Sequence, residues 1–202
     1  LVSTIGGNGN AAIDPPVDGD TATDQDFGQI RDFVIVGTNI YLALYDWGQV
    51  AKIDLLTGLY YLIDDDFIPG DFVEGITADS AGNIYYSIAD TAVVYKLVGE
   101  STRTVYAGIE GSPGFSGDGG LATDAELYSP QIIDFDADDN LYISSGVSGG
   151  SRNVIRKVNA SDGIITTITG NGLVSDLSVD AAAFRQNDDA FNRISVDKNT
   201  GD

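Results

Sequence analysis

Short runs of apolar residues, separated by turn residues, recur along the whole chain, and apolar and polar positions mostly alternate within them. Three runs place Asn, an aliphatic residue and Tyr near the start of an alternating stretch: TNIYLAL (38–44), GNIYYSI (82–88) and DNLYISS (139–145). Alternation with a period of two predicts β-strands, and the polar residues ahead of each run predict a turn. The chain is therefore predicted to consist of short strands with almost no helix.

Three further kinds of strand-like run accompany these stretches in a fixed order. An apolar run precedes the Asn turn in IRDFVIV (30–36), FVEGITA (72–78), QIIDFDA (131–137) and FNRISVD (191–197). A run with Lys between apolar neighbours follows in VAKID (50–54), VYKLV (94–98) and IRKVN (155–159). An outer run closes each unit in VSTIGGNG (2–9), YYLIDDD (60–66), RTVYAG (103–108) and ITTITGNG (165–172).

Four short strands per repeat are typical of a propeller blade. Asn39, Asn83 and Asn140 lie 44 and 57 residues apart, so the repeat is long and its loops vary in length. The predicted fold is an all-β propeller built from four-stranded blades, with three complete blades and a partial blade at each end. We place residues 1–202 in a single, partial propeller region with repeats at approximately 1–58, 59–101, 102–163 and 164–202.

The third repeat resembles a known family. Its segments GFSGDGGLATDAEL (114–127), SPQIIDFDADDNLYIS (129–144) and VIRKVNASDGIITTI (154–168) are similar to the NHL repeat of many secreted bacterial proteins and of the propeller in teneurin-like proteins. The other repeats follow the pattern more loosely, with VDGDTATDQDF (17–27) where the Gly-rich loop belongs. The resemblance implies NHL-type blades, which usually form a ring of six.

The charge balance and the length of the apolar runs exclude two classes of partner. The chain has 31 Asp and Glu against 10 Lys and Arg, for a net charge of −21. Nucleic acid is not expected as a partner, because phosphate binding requires a basic surface. The apolar runs at 33–36 and 40–44 are far shorter than the roughly 20 residues of a membrane helix, so no membrane span is predicted.

Histidine, cysteine and methionine are absent from the sequence. Disulfides and thiol chemistry are therefore impossible, and the usual imidazole base, Ser–His triad and imidazole zinc site are missing. A chain without sulfur residues suits an oxidising exterior, and with the family resemblance this favours a secreted or cell-surface location. We predict no catalytic residue and no required cofactor.

The repeat and the missing catalytic constellation predict a non-enzymatic extracellular module. It would bind a protein or a glycan through its propeller loops, or join subunits through open blade edges. The alternative is a metal-dependent hydrolase resembling the lactonase propellers, which hold a metal with Glu, Asn and Asp. The four glutamates of the chain lie in no recognisable motif: Glu74, Glu100, Glu110 and Glu126.

Acidic residues crowd the turn before Asn140. Asp136, Asp138 and Asp139 offer hard oxygen ligands on a tight loop, which is what calcium requires. The competing interpretation is a structural turn in which Asp136 accepts hydrogen bonds from backbone amides, as Asp79 would at the matching position. Asp136, Asp138 and Asp139 are therefore the candidate ligands of a calcium ion.

Three residues are candidates for contacts on the loop face. Phe115 and Asp118 lie in the long Gly-rich loop between one outer strand and the next inner strand. Trp47 lies in the hairpin YDWGQ, where an exposed aromatic ring could stack on a sugar or anchor a protein. The alternative for Trp47 is packing between neighbouring blades.

Asn159, with Ala160 and Ser161, forms a glycosylation acceptor pattern at a predicted turn. In a eukaryotic secreted protein we expect it to be modified about half of the time, whereas in a bacterium it is an ordinary turn residue.

The predicted register begins on an outer strand at 2–5 and reaches an inner strand at 191–196. Three blades cannot close a ring, and open blades expose edges that are prone to pairing. We therefore expect completion by further blades, or self-association in which strands of a neighbouring chain complete the open edges.

Overall fold

The computed structural model describes residues 2–9, 14–64, 72–99, 102–146 and 154–170. These residues form twelve β-strands and two 3₁₀ helices of three residues each, Ala22–Asp24 and Ala122–Asp124. No helix in the described part of the chain has the length and hydropathy needed to cross a membrane. The all-β prediction is confirmed.

The strands form three antiparallel sheets of four, each with its strands in sequence order, and we call these sheets blades 1, 2 and 3. Blade 1 comprises β1 (Ile30–Val36), β2 (Asn39–Leu44), β3 (Gln49–Asp54) and β4 (Tyr60–Asp64). Blade 2 comprises β5 (Val73–Ala78), β6 (Ile84–Ile88), β7 (Val93–Val98) and β8 (Thr102–Gly108). Blade 3 comprises β9 (Pro130–Phe135), β10 (Leu141–Ser145), β11 (Val154–Val158) and β12 (Ile165–Thr169).

The blades pack face to face around adjacent inner strands, as in a β-propeller. Strand β5 lies between β1 and β9. One apolar cluster joins the face of blade 1 that carries Val50 and Ile63 to the face of blade 2 that carries Ile76 and Tyr86. A second cluster joins blade 2 to blade 3, and Phe135 lies within it. The alternating side chains of each strand thus bury both faces of blade 2.

Strand pairing confirms that the Asn–aliphatic–Tyr stretches are equivalent. The Tyr of each stretch lies opposite the Lys of the following strand: Tyr41 opposite Lys52, Tyr85 opposite Lys96 and Tyr142 opposite Lys157. In blades 2 and 3 the ammonium group lies over the ring of this Tyr, at 5.1 and 5.4 Å from the centroid. The repeated Lys is therefore part of the strand-pairing pattern, since an ammonium over an aromatic face is attracted to it.

The predicted outer strand at 2–5 is not a strand in the structure. The described N-terminal segment instead hydrogen-bonds a loop: the amide of Gly7 donates to the carbonyl of Ala22, and that of Asn8 donates to Gln25. Hydrogen bonds to this loop thus take the place of the hydrogen bonds that pairing with a neighbouring strand would provide. The predicted inner strand at 191–196 lies outside the described residues.

Two long segments, 14–29 and 109–129, run along the outer edges of blades 1 and 3. Each contains a 3₁₀ helix whose Ala is buried: Ala22 packs with Phe27 on blade 1, and Ala122 packs with Leu127 between blades 2 and 3. In the second segment Gly117 has a φ of +96°, and a Cβ there would lie 2.6 Å from Ala125. Glycine is therefore required at this close approach.

Candidate binding face

The loop face is the end of the blades at which the inner strands begin. Antiparallel order places the start of the first strand of a blade, the turn between its second and third strands and the end of its fourth strand at one end. The amide of Tyr45, in the β2–β3 turn, accordingly donates to the carbonyl of Gln29, just before β1. The turns at 37–38 and 55–59 lie at the opposite end.

An aromatic pair and a charge pair meet on this face at the junction of blades 1 and 2. The rings of Tyr45 and Phe72 stack with centroids 4.3 Å apart. The guanidinium of Arg31 lies 4.1 Å from the centroid of Tyr45, and its Nε is 3.5 Å from Oε2 of Glu74. Arg31 is partly exposed, and Tyr45 and Phe72 are half-buried, so the group presents a cation and part of its aromatic surface to solvent.

Glu74 lies in β5 and is largely covered by its surroundings. Burial raises the pKa of its carboxyl above the ordinary value; the charge of Arg31 opposes this rise, and the charge of Asp90 adds to it. Glu74 is thus a carboxylate held on the inner strand by one cation from the neighbouring blade.

A second aromatic pair lies on the loop face, ahead of β9. The rings of Phe115 and Tyr128 stack with centroids 5.2 Å apart, and both side chains are half-buried. Phe115 is therefore where the sequence placed it, on the long loop at the loop face. Both residues belong to the segment that connects β8 to β9.

Trp47 packs against the blade 1 cluster that contains Phe27 and Leu44. Its indole Nε1 is buried and has no hydrogen-bond partner in the structure. The two interpretations of Trp47 were an exposed ring that binds a partner and a ring packed between blades. The geometry favours packing, but Trp47 packs against the segment 14–29 and blade 1 and not between two blades.

Asp118 does not project freely from the long loop. Its carboxylate accepts hydrogen bonds from Nε and Nη2 of Arg156, at 3.1 and 2.5 Å, and from the amide of Thr167 at 2.9 Å. Burial would raise the pKa of Asp118, but the hydrogen bonds from Arg156 and Thr167 and the charge of Arg156 lower it below the ordinary value. Asp118 fastens the loop to blade 3.

Asp136 stabilises the turn before Asn140. Its Oδ1 accepts from the amides of Asp138 and Asn140 at 3.0 and 2.9 Å, and its Oδ2 is 3.6 Å from Nζ of Lys157. Burial would raise the pKa of Asp136, and the hydrogen bonds from Asn140 and Asp138 and the charge of Lys157 lower it. Asp79 repeats this arrangement with Asn83 in blade 2.

The other two candidate calcium ligands point to different partners. Asp139 accepts hydrogen bonds from the amide and hydroxyl of Ser80 in the neighbouring blade, at 2.7 and 2.6 Å, and Asp138 is exposed. No group of three Asp, Glu, His or Cys side chains is arranged to hold a metal ion within the described residues. Calcium at Asp136, Asp138 and Asp139 stays a prediction.

Asn159 lies at the end of the molecule opposite the loop face, directly after β11. It is exposed, and its Oδ1 accepts from both the amide and the hydroxyl of Ser161 at 2.9 Å. The acceptor pattern is therefore displayed on an accessible turn.

Sequence reasoning missed the grouping at the first blade junction. Arg31 and Tyr45 belong to blade 1, whereas Phe72 and Glu74 belong to blade 2 or its entrance, so no linear motif unites them. The one available signal in the sequence was Tyr45, an aromatic residue in the YDWGQ hairpin. Tyr128 was missed because it precedes β9 without any repeated counterpart.

Neither a family model nor a curated protein matches the sequence, so the likeness to NHL repeats remains a resemblance. Several solved structures match the fold. A structural genomics protein of unknown function from Bacteroides thetaiotaomicron superposes with a TM-score of 0.60 at 21% identity, over 78% of this chain and 40% of the other.

Two further solved structures share the fold. A chain of a nidogen/laminin complex matches with a TM-score of 0.53 at 16% identity, over 71% of this chain and 50% of its own length. The extracellular domain of a protein described as a hybrid two-component system from B. thetaiotaomicron matches with a TM-score of 0.52 at 12% identity, over 72% of this chain and 17% of its own. This chain thus spans half or less of each, and the likeness confirms the β-propeller fold.

Proposed function

We propose that this protein is a non-enzymatic extracellular binding module that engages a protein partner through its loop face. This proposal rests on the group of side chains at the junction of blades 1 and 2, where the stacked Tyr45 and Phe72 adjoin the Arg31–Glu74 charge pair. Aromatic rings and Arg are the side chains that contribute most to the energy of protein interfaces. Each is held in place by neighbours, so little side-chain entropy is lost on binding.

The charge of the chain indicates the character of the partner. With 31 acidic and 10 basic residues, the long-range field is negative and attracts a positively charged partner during diffusional encounter. We therefore propose a partner segment rich in Lys or Arg that carries an apolar or aromatic side chain for the Tyr45–Phe72 surface.

The proposed role includes an extracellular location. Two of the solved structures with this fold are an extracellular domain and a nidogen/laminin complex, and the chain has no cysteine that oxidation could cross-link. These likenesses concern the fold, and we carry the location to this chain as part of the proposal.

Selection from a displayed random-peptide library, followed by calorimetry with the selected peptide, tests the proposal. The double variant Tyr45→Ala, Phe72→Ala should weaken binding by about tenfold or more, since burial of aromatic surface is lost. Leu56→Ala is the matched control, because Leu56 is an exposed apolar residue at the opposite end of blade 1. Its affinity should stay within about twofold of wild type.

Circular dichroism of each variant shows that the fold is retained. Failure to select any peptide, or selected binding that ignores the double variant, contradicts the proposal. Binding to a glycan array without peptide binding would reassign the partner class. Hydrolysis of lactones or esters by the metal-supplemented protein would favour the alternative, a metal-dependent hydrolase.

A further inference from the structure

The described N-terminal segment, residues 2–9, lies directly on the apolar core of blade 1. A Cβ at Gly6 would lie 2.7 Å from Cδ1 of Ile53 and 2.8 Å from Cε2 of Phe27, so the backbone of the segment contacts both side chains. Ile53 is 3% and Phe27 is 5% exposed. The segment 2–9 is therefore part of the cover that keeps these two side chains from water.

Asn8 fastens this segment to the neighbouring segment 14–29 through two hydrogen bonds. Its amide donates to the carbonyl of Gln25 at 2.9 Å, and its side-chain Nδ2 donates to the carbonyl of Asp24 at 3.2 Å. Asn8 is exposed, so water reaches its side chain and competes for the longer of these bonds. The carboxamide of Asn8 is thus both a structural contact and open to reaction with solvent.

The residue after Asn8 leaves its own peptide nitrogen unshielded. Gly9 is exposed, has a φ of +74°, and has no atom within 4 Å of the position that a Cβ would occupy. Within the described residues, its amide donates to no acceptor. A peptide nitrogen without a flanking side chain or a hydrogen bond can lose its proton to solvent and attack the carboxamide of the preceding residue.

We propose that Asn8–Gly9 is a site of spontaneous deamidation, and that this modification releases the segment 2–9 from blade 1. The nitrogen of Gly9 gives its proton to a base in solvent and bonds to Cγ of Asn8. The bond from Cγ to Nδ2 breaks, and Nδ2 takes up a proton and leaves as ammonia. Water then opens the cyclic imide at either carbonyl, which leaves aspartate or isoaspartate, and no oxidant or reductant takes part.

Both products lose the side-chain contact that Asn8 makes. A carboxylate has no hydrogen to donate to the carbonyl of Asp24, and it brings a negative oxygen toward that carbonyl. The segment 14–29 carries five aspartates and no Lys or Arg, so it offers no cation to offset the new charge. Isoaspartate also lengthens the main chain by one methylene ahead of Gly9. Release of the segment 2–9 then exposes Ile53 and Phe27 to water, whereas the loop-face group at Tyr45 and Phe72 takes no part in the change.

Peptide mapping by mass spectrometry tests the reaction on the intact chain after incubation in mildly alkaline buffer. The peptide that contains Asn8 should gain about 1 Da with time, and an isoaspartyl methyltransferase should label it. Asn159 is the internal control because it is also exposed but precedes Ala160, and it should react about tenfold more slowly or less. Asn171–Gly172 has the same sequence pattern, lies outside the described residues, and is measured as a separate peptide.

Two substitutions test the release. Asn8→Asp reproduces one product, whereas Asn8→Gln keeps a side-chain amide and forms a cyclic imide much more slowly, because the ring is larger. The backbone amides of residues 7 and 8 donate to the segment 14–29, so they should exchange with deuterium about tenfold faster or more in Asn8→Asp and nearly as in wild type in Asn8→Gln. Trp47, the sole tryptophan, packs against the cluster that contains Phe27, so its emission should move to longer wavelength in Asn8→Asp alone.

Circular dichroism shows that both variants keep the strand content of wild type. A peptide containing Asn8 whose mass stays constant through the incubation overturns the assignment of the reaction. An Asn8→Asp variant whose amides at residues 7 and 8 stay as protected as in wild type overturns the proposed release.

Discussion

Arg156 and Asp118 lie 38 positions apart and form a charge pair that ties the long loop to blade 3. The guanidinium of Arg156 is 1% exposed, and it also donates to the carbonyls of Glu126 and Ser116 at 2.8 and 3.2 Å. In blade 1 Ala51 is the equivalent of Arg156, because Ala51 pairs with Leu62 as Arg156 pairs with Thr167. Asp18 is the equivalent of Asp118, because it accepts from the amide of Leu62 as Asp118 accepts from the amide of Thr167. The matched loops are therefore fastened by different means.

This difference predicts unequal effects of the same substitution. Asp118→Ala leaves the buried Arg156 cation without this carboxylate, and we expect a loss of about 2–4 kcal/mol in the free energy of unfolding, reduced for the partial exposure of Asp118. Asp18 accepts one backbone hydrogen bond, from Leu62 at 2.8 Å, so Asp18→Ala should cost only about 0.5–1.5 kcal/mol. Urea unfolding measures both, and equal losses would contradict the account.

The sequence predicted the twelve described strands well, because alternation and turn residues are local signals. Residues that depend on several blades were harder to find. Asp118 appeared to be a free loop residue, since nothing local indicates that a residue 38 positions later supplies its partner. The Tyr45–Phe72 pair likewise arises when strands from two blades meet, and the stretch at 2–5 resembled an outer strand although it bonds the edge loop instead.

The turn before Asn140 should need Asp136 whether or not an ion is present. Asp136→Ala removes the acceptor for the amides of Asp138 and Asn140 and the partner of Lys157. We expect a loss of about 1–3 kcal/mol in metal-free buffer, because buried donors are left unsatisfied. Asp138→Ala is the control and should be nearly neutral, since Asp138 is exposed. Thermal unfolding in the presence of a chelator distinguishes the two variants.

Calcium dependence is a separate prediction. Asp136, Asp138 and Asp139 offer hard oxygen ligands but already hold structural contacts in part, so calcium should raise the melting temperature only modestly. Zinc should have no specific effect, because the chain lacks His and Cys. Melting curves with calcium, magnesium and zinc provide the comparison, and the absence of a calcium-specific shift would remove the proposed site and leave the turn.

Asn159 should carry a glycan in about half of the chains that pass through a eukaryotic secretory pathway. The residue is exposed on the turn after β11, and Ser161 supplies the hydroxyl of the acceptor pattern. Intact mass before and after removal of N-linked glycans should show a shift in wild type and none in Ser161→Ala, which keeps the asparagine. A secreted wild type in which no chain carries a glycan would contradict the prediction.

Acidification should change stability in two directions. Contacts lower the pKa of Asp79, Asp118 and Asp136, so the stability they contribute is present above the unfolded value of about 3.9 and is lost as pH falls through the folded values.

Glu74 has the opposite sign. Burial raises the pKa of its carboxyl, so its ionisation destabilises the fold at neutral pH, and this penalty is relieved as pH falls through the raised folded pKa toward about 4.3. The free energy of unfolding should therefore rise slightly on acidification from neutral pH and then fall steeply below about pH 4. Urea unfolding at constant ionic strength measures the curve. Glu74→Gln should flatten its upper part and Asp136→Asn its lower part, and an unchanged curve in either variant would contradict the assignment.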